Sequence, residues 1–150
     1  MKFPSKTMGI AVASHKVGYV VLRNGKLVDW HVSRVAAKSS ERIQKVVRGW
    51  LDLQQPDLLI SETINPYSRK SDRTLALMQA VESTVKDANV DHRAVPRMRN
   101  FNNKYDEISH LCSLYPIIAP WAPAPRKCWE GERLNTILFE ALSLMEAARE

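Results

Sequence analysis

The first quarter of the chain alternates short apolar runs with turn residues, which is typical of antiparallel β-strands. Apolar and β-branched residues dominate positions 8–13, 17–22 and 26–32. Asn24-Gly25 separates the last two runs, and this dipeptide favours a tight hairpin because both central residues of a type I′ turn need positive φ. The pattern therefore predicts three consecutive antiparallel strands.

Apolar positions at helical spacing follow these strands. They are Ile43, Val46, Val47, Trp50 and Leu51. Ser39 or Ser40 can cap this helix, with Glu41 in its first turn, where the helix dipole favours an acid. Positions 58–60 are wholly apolar, as in a strand buried on both faces, and they end in Ser61-Glu62. A helix followed by a buried strand is therefore predicted.

The rest of the chain predicts more helices and one more strand. A helix starts near Ser71 or Asp72, a strand covers 90–95, and another helix follows Asn103. Four prolines between positions 116 and 125 exclude regular structure there. That segment is either an extended binding strap or a stiff connection packed on the domain. The last helix runs from about Glu132 to the end.

This order of elements predicts an α/β fold. Three meander strands followed by alternating helices and strands give a mixed five-stranded sheet with helices on both faces. The length of 150 residues, with 45% hydrophobic and 25% charged residues, predicts a single globular domain over 1–150.

Composition also indicates the cellular environment of the protein. No apolar run approaches the ~18 residues that span a bilayer, and the basic start lacks the apolar segment of a signal peptide. Cys112 and Cys128 form neither a disulfide framework nor a zinc-site spacing, which favours a reducing cytoplasm. The four histidines are scattered and indicate no metal cluster.

The net charge of +6, from 22 Lys and Arg against 16 Asp and Glu, is compatible with a polyanionic partner. Basic residues group at three places along the chain. The groups are Arg34, Lys38, Arg42, Lys45 and Arg48; Arg69, Lys70 and Arg73; and Arg93, Arg97, Arg99 and Lys104. They are either solvated faces of a basic protein or a surface that follows a phosphate backbone.

Three segments carry a resemblance to a known family. They are GIAVASHKVGY at 9–19, LLISE at 58–62, and a closing helix pair over 103–114 and 132–147 that contains Glu140-Ala141-Leu142. In order and spacing these segments resemble the ribonuclease H-like fold, in the branch that contains the RuvC-type Holliday-junction resolvases. The resemblance covers nearly the whole chain.

The resemblance implies a site in which two divalent metals, magnesium or manganese, clamp a phosphodiester between carboxylates. Glu62 then matches the second catalytic acid and Glu140 the last one, and both would be catalytic residues and metal ligands. Ala11 stands where the family carries the Asp that contacts both metals, and Ile137 stands where resolvases have another Asp. Two carboxylates make a poor cage for two dications.

Each acid also has a structural explanation. Glu62 lies at the end of a buried strand, where a carboxylate is uncommon without a function, and its structural alternative is a residue with no chemical role. Glu140 is alternatively a surface residue at the margin of its helix. Glu130 and Glu132 are either first-turn residues, which the helix dipole favours, or replacements for the lost ligands.

Three functions remain open. The leading hypothesis is a nucleic-acid-binding protein with a degenerate nuclease site, which contacts DNA in preference to RNA. Its expected contacts are Lys16, Arg69, Lys70, Arg73, Arg97, Arg99 and Lys104. The second is an active metal-dependent nuclease with rearranged carboxylates. The third is a protein-interaction domain that uses Trp121, Trp129 and the proline segment. The resemblance further implies a homodimer, and no membrane partner is expected.

Overall fold

Five strands form one mixed sheet in the computed structural model, which describes residues 3–65, 67–97, 101–125 and 133–149. The strands are β1 (Lys6–Val12), β2 (Val17–Arg23), β3 (Lys26–Ser33), β4 (Leu58–Glu62) and β5 (Asp91–Val95). Their order across the sheet is β3-β2-β1-β4-β5, and β4 runs parallel to both of its neighbours. The predicted mixed five-stranded sheet is confirmed.

The three-stranded meander at the start of the chain is also confirmed. β1 pairs antiparallel with β2, and β2 pairs antiparallel with β3. Asn24 and Gly25 have φ values of 53° and 81°, the left-handed backbone that the dipeptide predicts for this turn.

Four α-helices cover the two faces of the sheet within the described ranges. They are α1 (Ser40–Gln54), α2 (Asp72–Asp87), α3 (Lys104–Leu114) and α4 (Thr136–Arg149). Ser39, Ser71 and Asn103 cap the first three helices by accepting backbone N–H bonds. Ser39 is thus the predicted cap of α1, and α2 and α3 begin where the sequence predicts.

The last helix begins later than predicted. Its first residue is Thr136 and not Glu132, which lies outside the described residues, and residues 134–135 form a turn. The Asn135 side chain donates to the Trp121 carbonyl, 3.1 Å away. This bond joins residues 14 positions apart, so the start of α4 depends on tertiary packing and not on a local sequence pattern.

Helix α4 is the central element on one face of the sheet. It is buried on almost every side, because the sheet lies beneath it and α3 packs beside it. Two strand glycines permit this close packing. A Cβ at Gly18 would lie 2.7 Å from Cγ2 of Ile137, and one at Gly9 would lie 2.8 Å from Sδ of Met145. Helices α1 and α2 cover the opposite face.

The proline segment corrects one prediction. Residues Pro116–Trp121 form a 3₁₀ helix, although four prolines were expected to exclude regular structure. Pro116 stands in its first turn, where a proline ring is tolerated, and Ile118 is fully buried. The Trp121 ring packs edge-on against Trp30 with ring centroids 5.0 Å apart. The segment is thus packed on the domain; Trp129 lies outside the described residues.

Candidate nucleic-acid site

The site lies where β1 and β4 end side by side. These strands pair in parallel with Gly9 opposite Ile60. The pairing ends there, and both strands continue, so Ala11 and Glu62 each lie two residues further toward the same end of the sheet. Ala11 presents a buried methyl group, so the position that carries an acid in the resembled family offers no oxygen ligand here.

Glu62 forms an ion pair with a lysine from the loop that follows β4. The Lys70 Nζ atom lies 3.4 Å from Oε2 of Glu62, and the two side chains are 30% and 19% exposed. Lys70 directly precedes Ser71, the cap of α2. The start of α2 therefore holds a positive charge next to the acid that ends β4.

Arg97 joins two more carboxylates. It follows β5, and its Nη2 lies 3.3 Å from Oε1 of Glu107 on α3 while its Nη1 lies 3.3 Å from Oε1 of Glu140 on α4. The Ser143 hydroxyl donates to the other oxygen of Glu107 at 3.0 Å. All three charged side chains are between 12% and 26% exposed. The guanidinium therefore lies in a partly buried position between two acids.

Glu107 is the site residue that sequence reasoning missed. Its sequence signal is an acid in the first turn of a helix, and the helix dipole favours acids there in any protein. Its position beside Arg97 follows from the packing of α3 against α4, which no local sequence pattern encodes.

Two open grooves meet at these ion pairs. A groove of about 700 Å³ is lined by Glu62, Tyr67 and Arg69 among others. A second groove, of about 400 Å³, is lined by Phe101, Lys104, Glu107 and Glu140 among others. Lys70 and Arg97 line both. Glu62 and Glu140, predicted to share one metal site, therefore face different grooves with two cations between them.

The donor set does not fit a two-metal site. Two dications require several converging carboxylates, but three acids here are paired with two protein cations. Ile137 is fully buried against the sheet. Within the part of the chain that the structure describes, no three His, Cys, Asp or Glu side chains form a group able to hold a metal ion. Glu130 and Glu132 lie outside that part.

Four of the seven expected DNA contacts lie at the grooves, in two pairs. Arg69 is exposed on the loop before α2 and lines the larger groove. Lys104 is half-buried at the start of α3 and lines the smaller groove. Lys70 and Arg97 lie between the grooves and pair with acids. Arg99 lies outside the described residues.

The remaining two expected contacts, Lys16 and Arg73, donate hydrogen bonds to backbone carbonyls. Lys16 is only 9% exposed, and its Nζ donates to the Arg133 carbonyl at 2.9 Å. The Arg73 guanidinium donates to the carbonyls of Ser14, Ala37 and Lys38 at 2.7, 2.6 and 3.2 Å. Arg73 thus ties the start of α2 to the β1–β2 turn and to the segment before α1.

Comparisons with known proteins rest on structure. No family model matches the sequence, and no curated protein matches it. The structure is similar to "T. thermophilus RuvC in complex with Holliday junction substrate", with a TM-score of 0.63, 19% identity, and coverage of 97% of this chain and 96% of that chain. The chain has a RuvC-like, ribonuclease H-type fold.

A second solved structure supports the same fold. A complex of the fowlpox virus resolvase with its substrate Holliday junction DNA matches with a TM-score of 0.56 and 12% identity, covering 93% of this chain and 98% of that chain. The resemblance to RuvC predicted from three sequence segments is therefore confirmed at the level of the fold. Among the described residues, none of the helices has the length and apolar character needed to cross a membrane.

Proposed function

We propose that this protein binds nucleic acid, DNA in preference to RNA, through a RuvC-like fold whose two-metal nuclease site is degenerate. The main support for the proposal is the position of Arg97, whose two Nη atoms lie 3.3 Å from carboxylate oxygens of Glu107 and Glu140. The carboxylates of Glu107 and Glu140 carry like charges that repel each other, and the guanidinium of Arg97 neutralises them. The fold is retained and the metal chemistry is lost.

Ion binding at these acids would require breaking established pairs. A cation that approaches Glu140 competes with Arg97, and one that approaches Glu62 competes with Lys70. Separating a partly buried pair leaves an uncompensated charge, which is costly. Mg²⁺ also loses its bound water reluctantly and needs near-octahedral oxygen ligands, which the methyl group of Ala11 and the side chain of Ile137 do not supply.

The groove edges carry the residue types that bind nucleic acids. Tyr67 is 94% exposed and lines the larger groove together with Arg69. Phe101 and Lys104 line the smaller one. A cation that attracts phosphate next to an aromatic ring that stacks on a base is the combination found in single-stranded nucleic-acid grooves. Each groove therefore offers one phosphate contact and one stacking surface.

The solved structures that this chain resembles favour DNA as its ligand. Both resolvases compared above are in complexes with Holliday junctions. The present chain covers nearly all of each of them, so its grooves belong to a fold of the same extent. We therefore propose branched DNA as the first ligand to test, with an RNA hybrid as the comparison.

The proposal includes the two remaining expectations from the sequence. Resolvases of the RuvC type work as dimers, and we propose a homodimer here as well. The sparse cysteines support a cytoplasmic location.

Fluorescence anisotropy tests the binding proposal. A labelled four-way junction, a matched duplex and an RNA–DNA hybrid are titrated at low and at moderate salt. We expect affinity that falls steeply with salt through release of counterions. The double variant Arg69→Gln/Lys104→Gln should reduce the salt slope by about 2 units. Absence of binding at low salt would refute the proposal and favour the protein-interaction hypothesis.

A matched control removes the same charge elsewhere. Arg23 and Lys26 are exposed beside the β2–β3 hairpin, at the end of the sheet away from Glu62. The variant Arg23→Gln/Lys26→Gln should leave the affinity and its salt slope nearly unchanged. An equal loss in both double variants would show that only net charge matters.

A further inference from the structure

The outer face of α1 carries a group of basic residues that the proposed site does not use. Arg42, Lys45 and Arg48 are exposed on α1, and Arg34 and Lys38 are exposed on the segment that precedes it. We call these five residues the α1 stripe. Two acids lie near it: Glu41 is in the first turn, and Asp52 pairs with Arg48 at 3.4 Å. The face therefore keeps an excess of positive charge.

The α1 stripe begins at the same end of the sheet as the grooves. β3 ends at Ser33, and α1 then runs back along the sheet before β4 returns to end at Glu62. Arg73 fixes this junction because its guanidinium bonds the carbonyls of Ser14, Ala37 and Lys38. The first cations of the stripe are thus held next to the start of α2, which also positions Arg69 and Lys70.

The inner face of α1 determines which partner the stripe fits. Ile43, Val47 and Trp50 are buried against the sheet, so the apolar face of α1 is covered and cannot insert into a membrane surface, as interfacial helices do. Leu53 is the one large hydrophobic residue exposed on α1. The outward cations rise by about 4.5 Å for each step of three residues and span roughly 9 Å from Arg42 to Arg48. Phosphates on one DNA strand repeat every ~3.4 Å along the axis, so the three helix cations cover the length of about three phosphate steps.

We propose that the α1 stripe is a second contact surface for nucleic acid, which binds the phosphate backbone of a duplex segment that extends beyond the grooves. This inference rests on the proposed function, since it extends the same ligand across the neighbouring face. The partner is recognised by its regularly spaced negative charge, independently of base sequence.

The test compares long and short ligands. Anisotropy is measured with a four-way junction whose arms are long enough to reach α1 and with one whose arms are a few base pairs long. The variant is Arg42→Gln/Lys45→Gln, which keeps good helix formers on an exposed face and avoids the Arg48–Asp52 pair. The hairpin variant Arg23→Gln/Lys26→Gln is the matched control, and thermal melting followed by circular dichroism verifies that each variant folds.

We expect the α1 variant to reduce the salt slope by about 2 units on the long-armed junction only. Its binding to the short-armed junction should equal that of the unmodified protein. An unchanged slope on long arms, while Arg69→Gln/Lys104→Gln still lowers it, would overturn this inference and leave the proposed function standing. If the unmodified protein binds neither junction, both fail.

Vesicles of phosphatidylcholine and phosphatidylserine test the other polyanionic surface. We expect no binding that depends on Arg42 and Lys45. If those vesicles bind the unmodified protein and not the α1 variant, and the slope for long-armed DNA is unchanged, the stripe contacts lipid headgroups and the inference is wrong.

Discussion

Arg97 Nη1 lies 3.3 Å from Glu140 Oε1, although one residue follows the last strand and the other lies in the last helix. The same guanidinium reaches Glu107 on α3. Arg97 thus connects the end of β5 to both helices that cover the site. It is a structural link and a neutralising charge at once.

The first prediction concerns the stability that this link provides. Arg97→Gln leaves Glu107 and Glu140 without their guanidinium in a partly buried position. We expect the free energy of unfolding to fall by about 1–3 kcal/mol, because an uncompensated charge is costly to bury. Urea denaturation followed by circular dichroism measures the loss.

A double-mutant cycle is the control for this prediction. Removing the acid as well, in Arg97→Gln/Glu107→Gln, should cost less than the two single losses added together. Strictly additive losses would show that the pair at 3.3 Å contributes no coupling energy.

The second prediction concerns the contact between β2 and α4. A methyl group at Gly18 would meet Cγ2 of Ile137 at 2.7 Å and the His31 carbonyl oxygen at 3.3 Å. Backbone and a packed side chain must then shift, so Gly18→Ala should lower stability by about 1–3 kcal/mol. Thermal melting of the purified variant measures the change.

Gly49 provides the matched control. It lies in α1, and a Cβ there meets nothing within 4 Å. Gly49→Ala should raise the stability by roughly 0.5–1 kcal/mol, because alanine loses less conformational freedom in a helix. If Gly18→Ala and Gly49→Ala changed the stability by the same amount, the close packing of α4 on the sheet would be contradicted.

The third prediction is a pH dependence. Burial raises the pKa of Tyr115 above its ordinary value of 10.0, and a hydrogen bond donated to Glu146 raises it further. A group whose pKa is raised in the folded state loses its stabilising contribution as the pH rises above the unfolded pKa. Stability should therefore decline above pH 10.

Tyr115→Phe should reduce this alkaline decline, because phenylalanine does not ionise. The measurement is the urea midpoint at several pH values from neutral to strongly alkaline. A parallel decline in the variant and in the unmodified protein would assign the effect to other groups, among which Tyr19 also has a raised pKa through burial.

Local patterns predicted most of the fold. The Asn24-Gly25 turn, the cap at Ser39 and the helix starts near Ser71 and after Asn103 depend on a few adjacent residues, and each was found. The late start of α4 was not predicted, because it depends on Asn135 bonding to Trp121 across the fold. The 3₁₀ helix was missed because prolines exclude long helices more strictly than they exclude one tight turn.

The site was predicted only in part. The strand order places Ala11 and Glu62 at the same end of the sheet, each two residues beyond the last β1–β4 pair, and the absence of an acid at position 11 was visible in the sequence. The pairing of Arg97 with Glu107 and Glu140 was not visible, because it arises where three separate elements meet. The charge balance at this site is thus a tertiary feature.

The central claim is that this site has lost its metal chemistry while the fold has been kept. Its most direct test is a cleavage assay on junction, duplex and hybrid substrates with Mg²⁺ and with Mn²⁺, run in parallel for the unmodified protein and Glu62→Gln. We predict that neither protein produces product above the protein-free background. Cleavage by the unmodified protein that Glu62→Gln abolishes would contradict the account and establish an active nuclease with rearranged carboxylates.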